Sequence, residues 1–142
     1  MFKWFYEYNL EVDLPLEELW SFCTNPSHWP KNIDEFESCM LEAPFQKGST
    51  VKTKIKNKKG HVSIHILDVE PYRSYKTLTK IPFFSQESLT TFQKISKTRS
   101  KLTTKTCVKS ILTPFFRSYY RKKIEKQYDS FSKIMIEMVN RT

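Results

Sequence analysis

The sequence predicts an α+β fold: a curved seven-stranded antiparallel sheet whose concave face is covered by one long C-terminal helix. Three observations carry this reading. Residues 2–12 alternate between apolar and polar side chains, the period of a half-buried strand. From Ile33 to Lys109 the chain breaks into short β-patterned runs separated by Gly, Pro, Asn or Ser. Beyond Thr113 the apolar residues recur every three or four positions, the period of an amphipathic helix.

In the first strand, Phe2, Trp4, Tyr6, Tyr8, Leu10 and Val12 fall on one face, while Lys3, Glu7, Asn9 and Glu11 fall largely on the other. DLPLEELWSFC (13–23) then reads as a short helix. Pro15 sits near its start, Glu17 and Glu18 lie in the first turn, and Leu16, Leu19, Trp20 and Cys23 recur at helical spacing. TNPSHWPKN is turn-rich, with room for at most one further helical turn.

Six strands follow at 34–42, 49–57, 60–70, 74–81, 86–95 and 101–109. Lysines mark the outward face, because a charged ammonium stays in water. Lys52, Lys54 and Lys56 therefore send Val51, Thr53 and Ile55 inward. A tight NKKG turn pairs Ile55 with Val62 and Thr53 with Ile64, so Val62, Ile64 and Ile66 also point inward. Tyr75, Thr77 and Thr79 follow opposite Lys76 and Lys80. Leu89, Thr91, Gln93 and Ile95 are placed inward opposite Lys94, and Leu102, Thr104, Thr106 and Val108 opposite Lys101, Lys105 and Lys109. A bulge near Leu67, Asp68 and Val69 is the most plausible break in this alternation.

The final helix starts with Thr113 as N-cap and Pro114 at its first position. Phe116, Tyr120, Ile124, Gln127, Phe131, Ile134, Met135 and Met138 make one stripe. Some 26 residues of helix span about 39 Å, enough to cover the sheet.

Composition bounds the function. The 142 residues suit one domain, 15% of them are aromatic, and two glycines leave no Gly-rich phosphate loop. Lys and Arg outnumber Asp and Glu by 24 to 15, and the net charge of +9 favours anionic partners. The three cysteines, Cys23, Cys39 and Cys107, are widely spaced with no CxxC pair, against a disulfide framework or thiolate zinc site. The N-terminus reads as neither signal peptide nor membrane span, so a cytoplasmic setting, possible at a membrane periphery, is expected. No metal-ligand spacing exists, and neither a metal nor a cofactor is expected.

Three stretches carry a resemblance: EVDLPLEELWSF (11–22), SHWPKNIDEFESC (27–39) and KGSTVKTKIKNKKGHVSIHILDVEPYRSYK (47–76). In order and spacing they resemble the START-like superfamily (SRPBCC, or Bet v 1-like), which includes the polyketide cyclase/dehydrase and lipid-transport families. The resemblance implies the helix-grip fold and a deep apolar cavity between sheet and C-terminal helix. Such a cavity suits a lipid, sterol, polyketide or quinone-like molecule.

On these faces the expected cavity lining is Tyr8, Phe36, Met40, Thr53, Ile64, Tyr75, Thr77, Gln93, Thr104 and Thr106 from the sheet, with Phe116, Tyr120, Ile124 and Gln127 from the helix. A greasy surface with a few hydrogen-bonding groups is how ligand sites are built. The expected function is binding, transport or sensing of a hydrophobic or amphipathic small molecule. The alternative is a polyketide cyclase, aromatase or dehydratase acting in the same cavity. Its candidate residues are Asp68, turned inward at the bulge, and Tyr75 as a donor to a carbonyl. His28, His61 and His65 fall in a turn or on the outward face, as do Cys39 and Cys107 by parity.

TPFFRSYYRKK (113–123) mixes aromatic rings with cations that oppose the helix macrodipole. In an up-down meander the 57–60 turn, the 82–85 loop and the 109–114 connection share one end. Lys58, Lys59, Phe83, Phe84, Phe115, Arg117 and Arg121 would gather there as a rim. Such a rim suits either transient docking on an acidic bilayer or a lid over the pocket. Nucleic-acid binding is a third reading of charge plus aromatics, opposed by the inward assignment of most rings.

Overall fold

A computed structural model describes residues 2–32, 36–111 and 116–141, without the side chains of 31, 32, 116, 117, 119, 120 and 138–141. The elements run β1 (Phe2–Val12), α1 (Leu16–Cys23), a 3-10 turn (Pro26–His28), α2 (Trp29–Asn32), β2 (Phe36–Met40), β3 (Thr50–Ile55), β4 (Val62–Glu70), β5 (Ser74–Ile81), β6 (Phe84–Ser96), β7 (Arg99–Ser110) and α3 (Phe116–Arg141). The seven strands form one antiparallel sheet in the order β1-β7-β6-β5-β4-β3-β2. The first strand pairs with the last along its whole length, from Phe2 opposite Ser110 to Val12 opposite Ser100.

Local chemistry explains the elements. Pro15, with φ −58°, is the residue that leads into α1, and Glu17 and Glu18 in the first turn complement the helix dipole. Asn25 caps the 3-10 turn by accepting from the Ser27 amide at 3.2 Å. Trp29 Nε1 donates to the Cys23 carbonyl at 3.0 Å, tying α2 to the end of α1. The two glycines, Gly48 and Gly60, both adopt positive φ, where any Cβ would be strained. Irregularities at 36/38, 66/68 and 94/96 interrupt the ladders and bend the sheet toward α3.

Burial is split into three clusters instead of one solid centre. Val12, Leu14, Leu19, Trp20, Phe22, Phe92, Leu102 and Met135 close one end of the space between sheet and helix. Trp4, Val108 and Ile124 pack where β1 and β7 meet α3. Val51, Ile64 and Ile66 form a third cluster on β3 and β4. Each fully buried side chain of this kind contributes about 1.5–3 kcal/mol. Buried hydroxyls are bonded: Ser100 Oγ donates to the Leu14 carbonyl and Ser49 Oγ to the Pro44 carbonyl, both at 2.8 Å.

Four sequence expectations are corrected. In β6 the inward residues are Ser88, Thr90 and Phe92, opposite Thr106, Thr104 and Leu102; Leu89, Thr91, Gln93 and Ile95 lie on the other parity. Lys94 misled the assignment. It pairs with buried Ser100 on the inner parity, and its side chain still reaches water because the strand is about to turn. In β2 the irregularity between Phe36 and Ser38 reverses the alternation. Cys39 therefore faces inward beside Thr53, while Ser38 and Met40 face outward. In β4 the bulge expected near Leu67 is present, but Leu67 absorbs it. Asp68 stays exposed opposite Lys76, and Val69 turns in. The β3–β4 hairpin is also wider than a tight NKKG turn, pairing Thr53 with Val62 and Val51 with Ile64.

Candidate functional site

The space left between the three clusters is a cavity of about 620 Å³. That lies within the range of roughly 300–1,000 Å³ typical of small-molecule sites. Its floor is the inner face of β4 to β7: Val62 and Ile64, then Tyr75, Thr77, Thr79 and Ile81, then Phe84, Gln86, Ser88 and Thr90, then Leu102, Thr104 and Thr106. Its roof is the face of α3 carrying Lys123, Ile124, Gln127, Tyr128 and Phe131. Tyr8, Cys23, Trp29, Phe36 and Ile55 complete the walls, and Lys58 and Pro82 contribute from turns at one end.

Antiparallel pairing places the polar groups. Opposed residues on β6 and β7 bring hydroxyls together: Ser88 Oγ and Thr106 Oγ1 at 3.0 Å, and Thr90 Oγ1 and Thr104 Oγ1 at 3.2 Å. The Tyr128 hydroxyl joins Thr106 Oγ1 at 3.4 Å, the Tyr75 hydroxyl joins Thr90, and the Tyr8 hydroxyl joins Ser132 Oγ. A hydroxyl offers one donor and two acceptor positions, so each of these groups keeps capacity for a ligand.

Burial pushes the phenols of Tyr8, Tyr75 and Tyr128 above their ordinary range, so all three stay neutral. Burial also pushes the thiol of Cys23 up, and that of Cys39 up against the opposing effect of its bond to Thr53. Neither thiol has the depressed pKa of a nucleophile. The described lining includes Lys58 and Lys123 but no Asp, Glu or His. No group of three or more His, Cys, Asp or Glu among the described residues could hold a metal ion. The arrangement offers shape, neutral hydrogen bonding and two cations.

Of the residues expected to line the cavity, the structure brings together Tyr8, Phe36, Ile64, Tyr75, Thr77, Thr104, Thr106, Ile124 and Gln127. Thr53 points inward but is fully buried against Cys39 Sγ at 3.5 Å, away from the hollow. Met40, 60% exposed, borders a shallow outer groove with Thr24 and Pro26. Gln93 and Asp68 are exposed on the far face. The side chains of Phe116 and Tyr120 lie outside the described residues.

In the expected rim, Lys58 lines the cavity and Lys59 is exposed in the same turn. Phe83 is 62% exposed, whereas its neighbour Phe84 turns inward and lines the cavity instead of standing on the rim. Arg121 is exposed and ion-paired with Glu125 at 3.1 Å. Phe115 and the Arg117 side chain lie outside the described residues.

Sequence reasoning missed Tyr128 and Lys123 on α3, and Gln86, Ser88 and Thr90 on β6. Tyr128 had a readable signal, falling four residues after Ile124 and three before Phe131. The β6 hydroxyls become legible only through pairing with β7.

No protein-family model and no curated protein matches the sequence. Solved structures do match. A START superfamily protein from Mycobacterium smegmatis superimposes with a TM-score of 0.73 over 94% of this chain and 98% of its own, at 12% identity. A conserved protein from Geobacillus kaustophilus gives 0.71 over 94% and 96%, at 18% identity. Norcoclaurine synthase from Thalictrum flavum, solved in complex with dopamine and hydroxybenzaldehyde, gives 0.66 over 96% and 88%, at 12% identity. Identities this low speak for architecture, and on that ground the chain has the helix-grip fold of the START-like, Bet v 1-like proteins.

Proposed function

We propose that this protein binds a hydrophobic or amphipathic small molecule between the sheet and α3, as a carrier or sensor. The single observation that carries the reading is the hollow itself. Protein interiors ordinarily fill to crystal-like density, whereas the described residues leave about 620 Å³ between sheet and α3, open in part to solvent. Aromatic and aliphatic side chains supply the apolar surface, and the β6–β7 hydroxyls supply orientation. A lipid, sterol, polyketide or quinone-like molecule fits that chemistry.

Loading at an acidic membrane surface is part of the proposal. Phe83, 62% exposed, forms a two-residue turn with Pro82 and has φ 68°, a conformation that disfavours side chains with a Cβ. Its carbonyl accepts from the amide of Ile111, 55% exposed, and Ile81 stands 39% exposed beside the same turn. Lys58 and Lys59 occupy the neighbouring turn at the cavity end. Apolar tips among cations favour an anionic bilayer, at about 1 kcal/mol per basic residue near the surface. No helix among the described residues is long and apolar enough to cross a membrane.

A second reading, a cyclase- or dehydratase-type enzyme, draws support from one observation. Tyr75 presents a neutral phenol to the cavity beside Thr90, a placement fit for donating to a substrate carbonyl.

Native mass spectrometry of gently purified protein tests the proposal. A co-purifying mass of lipid size, lost on denaturation, is the expected result. Its repeated absence, together with failure of the apo protein to bind any amphiphile offered, refutes it.

A further inference from the structure

We infer that two copies of this chain associate edge to edge through β1, antiparallel about a two-fold axis at Phe5, with Lys3 of one protomer opposite Glu7 of its partner. The inference is independent of what the cavity binds.

The strand β1 ends the sheet, pairing with β7 and with no other strand among the described residues. Its 11 residues of extended backbone therefore keep one side for further pairing. Natural edges are commonly blunted by charge, lysine above all. Here both signs are present, and their order decides what the edge accepts.

The residues of β1 on the outer sheet face divide into two groups. Asn9 accepts from Thr103 Oγ1 at 2.8 Å and Glu11 from Arg99 at 3.0 Å, so both are engaged by β7 of the same chain. Lys3, Phe5 and Glu7 are exposed, and none of the described ion pairs includes Lys3 or Glu7. Lys3 stands directly opposite Lys109, a like-charge pairing that costs stability in a ladder. Phe5, at 73%, is the most exposed large apolar side chain described, with the Lys3 ammonium 5.7 Å from its ring.

Under a two-fold axis Lys3, Phe5 and Glu7 are complementary to themselves. Centring the pair on Phe5 sets ring against ring and brings both lysines opposite glutamates on the same face. Opposed Cβ atoms lie about 4.5–5.5 Å apart, close enough for ring contact and for ammonium–carboxylate bonds. Lys3 gains an opposite charge beside its like-charged neighbour. Centring on Lys3 or on Glu7 would instead put like charges on the axis, so charge selects the register. The contact is isologous and closes as a dimer. At about 0.15 M salt, screening over about 8 Å mutes the general repulsion between two chains of net charge +9 more than it mutes pairs in contact.

Sedimentation equilibrium of the whole chain tests this. The wild type is expected to dimerise with a Kd on the order of 10–100 µM, since one paired strand buries less than a standard interface. Phe5→Lys and Lys3→Glu are each expected to weaken the dimer at least about tenfold. The double variant Lys3→Glu, Glu7→Lys restores opposite charges in reversed order, and is expected to return to within about threefold of wild type. Phe83→Ser, in the exposed turn at the cavity end, is expected to leave the dimer unchanged. Circular dichroism checks folding, and the contrast between Phe5→Lys and Phe83→Ser decides the matter should the double variant fail to fold. A wild type that stays monomeric up to about 1 mM overturns the inference. So does a dimer that Phe5→Lys leaves intact. A folded double variant that does not regain the dimer overturns the assigned register.

Discussion

The ring of Tyr8 on β1 stacks on that of Tyr128 on α3, with centroids 4.2 Å apart and planes 11° from parallel. The Tyr8 hydroxyl reaches Ser132 on the helix, and the Tyr128 hydroxyl reaches Thr106 on β7. One wall of the cavity is thus a clamp joining helix to sheet. A double-mutant cycle of Tyr8→Ala and Tyr128→Ala, read by urea denaturation, is expected to give a coupling energy of about 0.5–1.5 kcal/mol. Strict additivity would mean that the rings do not hold the helix down.

Cavity residues should trade ligand uptake against little stability. Thr77→Phe fills part of the hollow from β5, and is expected to abolish co-purification of ligand while shifting the unfolding midpoint only modestly. Gln93→Phe, on the exposed face of β6, is expected to leave ligand uptake unchanged. If the Gln93 change were the damaging one, the face assignment of β6 would be reversed.

Phe83 offers a test in which stability and function move oppositely. Its positive φ costs a residue with a Cβ roughly 1–2 kcal/mol, partly offset by the greater chain entropy that glycine loses on folding. Phe83→Gly is expected to raise Tm and to weaken flotation with anionic liposomes. Unchanged flotation would remove the membrane-loading proposal.

Alkaline pH should destabilise the fold through its buried phenols. Tyr75 has a folded pKa raised above the ordinary value near 10, so its contribution is fully present below pH 10. Above that pH the unfolded chain releases a proton that the folded chain retains. Stability then falls by at most about 1.4 kcal/mol per pH unit from this group. Tyr8 and Tyr128 act in the same direction. Unfolding midpoints measured from pH 8 to 11.5 should decline above 10, and Tyr75→Phe should flatten the decline. A profile identical to wild type would mean that the Tyr75 phenol is not held neutral by the fold.

Much of the architecture was written in local chemistry. Six alternating residues located β1, and Pro15 with its following acids located α1. The lysine rows of β3 and β7 oriented both strands correctly, since Lys52, Lys54, Lys101, Lys105 and Lys109 fall on the parity opposite buried Val51, Thr53, Leu102 and Val108. The same rule failed at Lys94, which sits close enough to the strand end to reach solvent from the inner parity. Strict alternation failed in β2 because a single irregularity after Phe36 exchanged the roles of Cys39 and Met40. Register and bulges are relations between strands, and a strand read alone does not contain them. The hydroxyl pairs Ser88–Thr106 and Thr90–Thr104 stayed hidden for that reason, since each pair exists only once β6 and β7 are aligned.

The central claim is that the space under α3 accepts a ligand, and amide chemical-shift mapping with decanol tests it most directly. The account predicts saturable shifts clustered at Thr77, Thr90, Thr104, Ile124 and Gln127, with Thr91, Gln93 and Met40 undisturbed. Shifts confined to the outer sheet face, or none at saturating decanol, would contradict it.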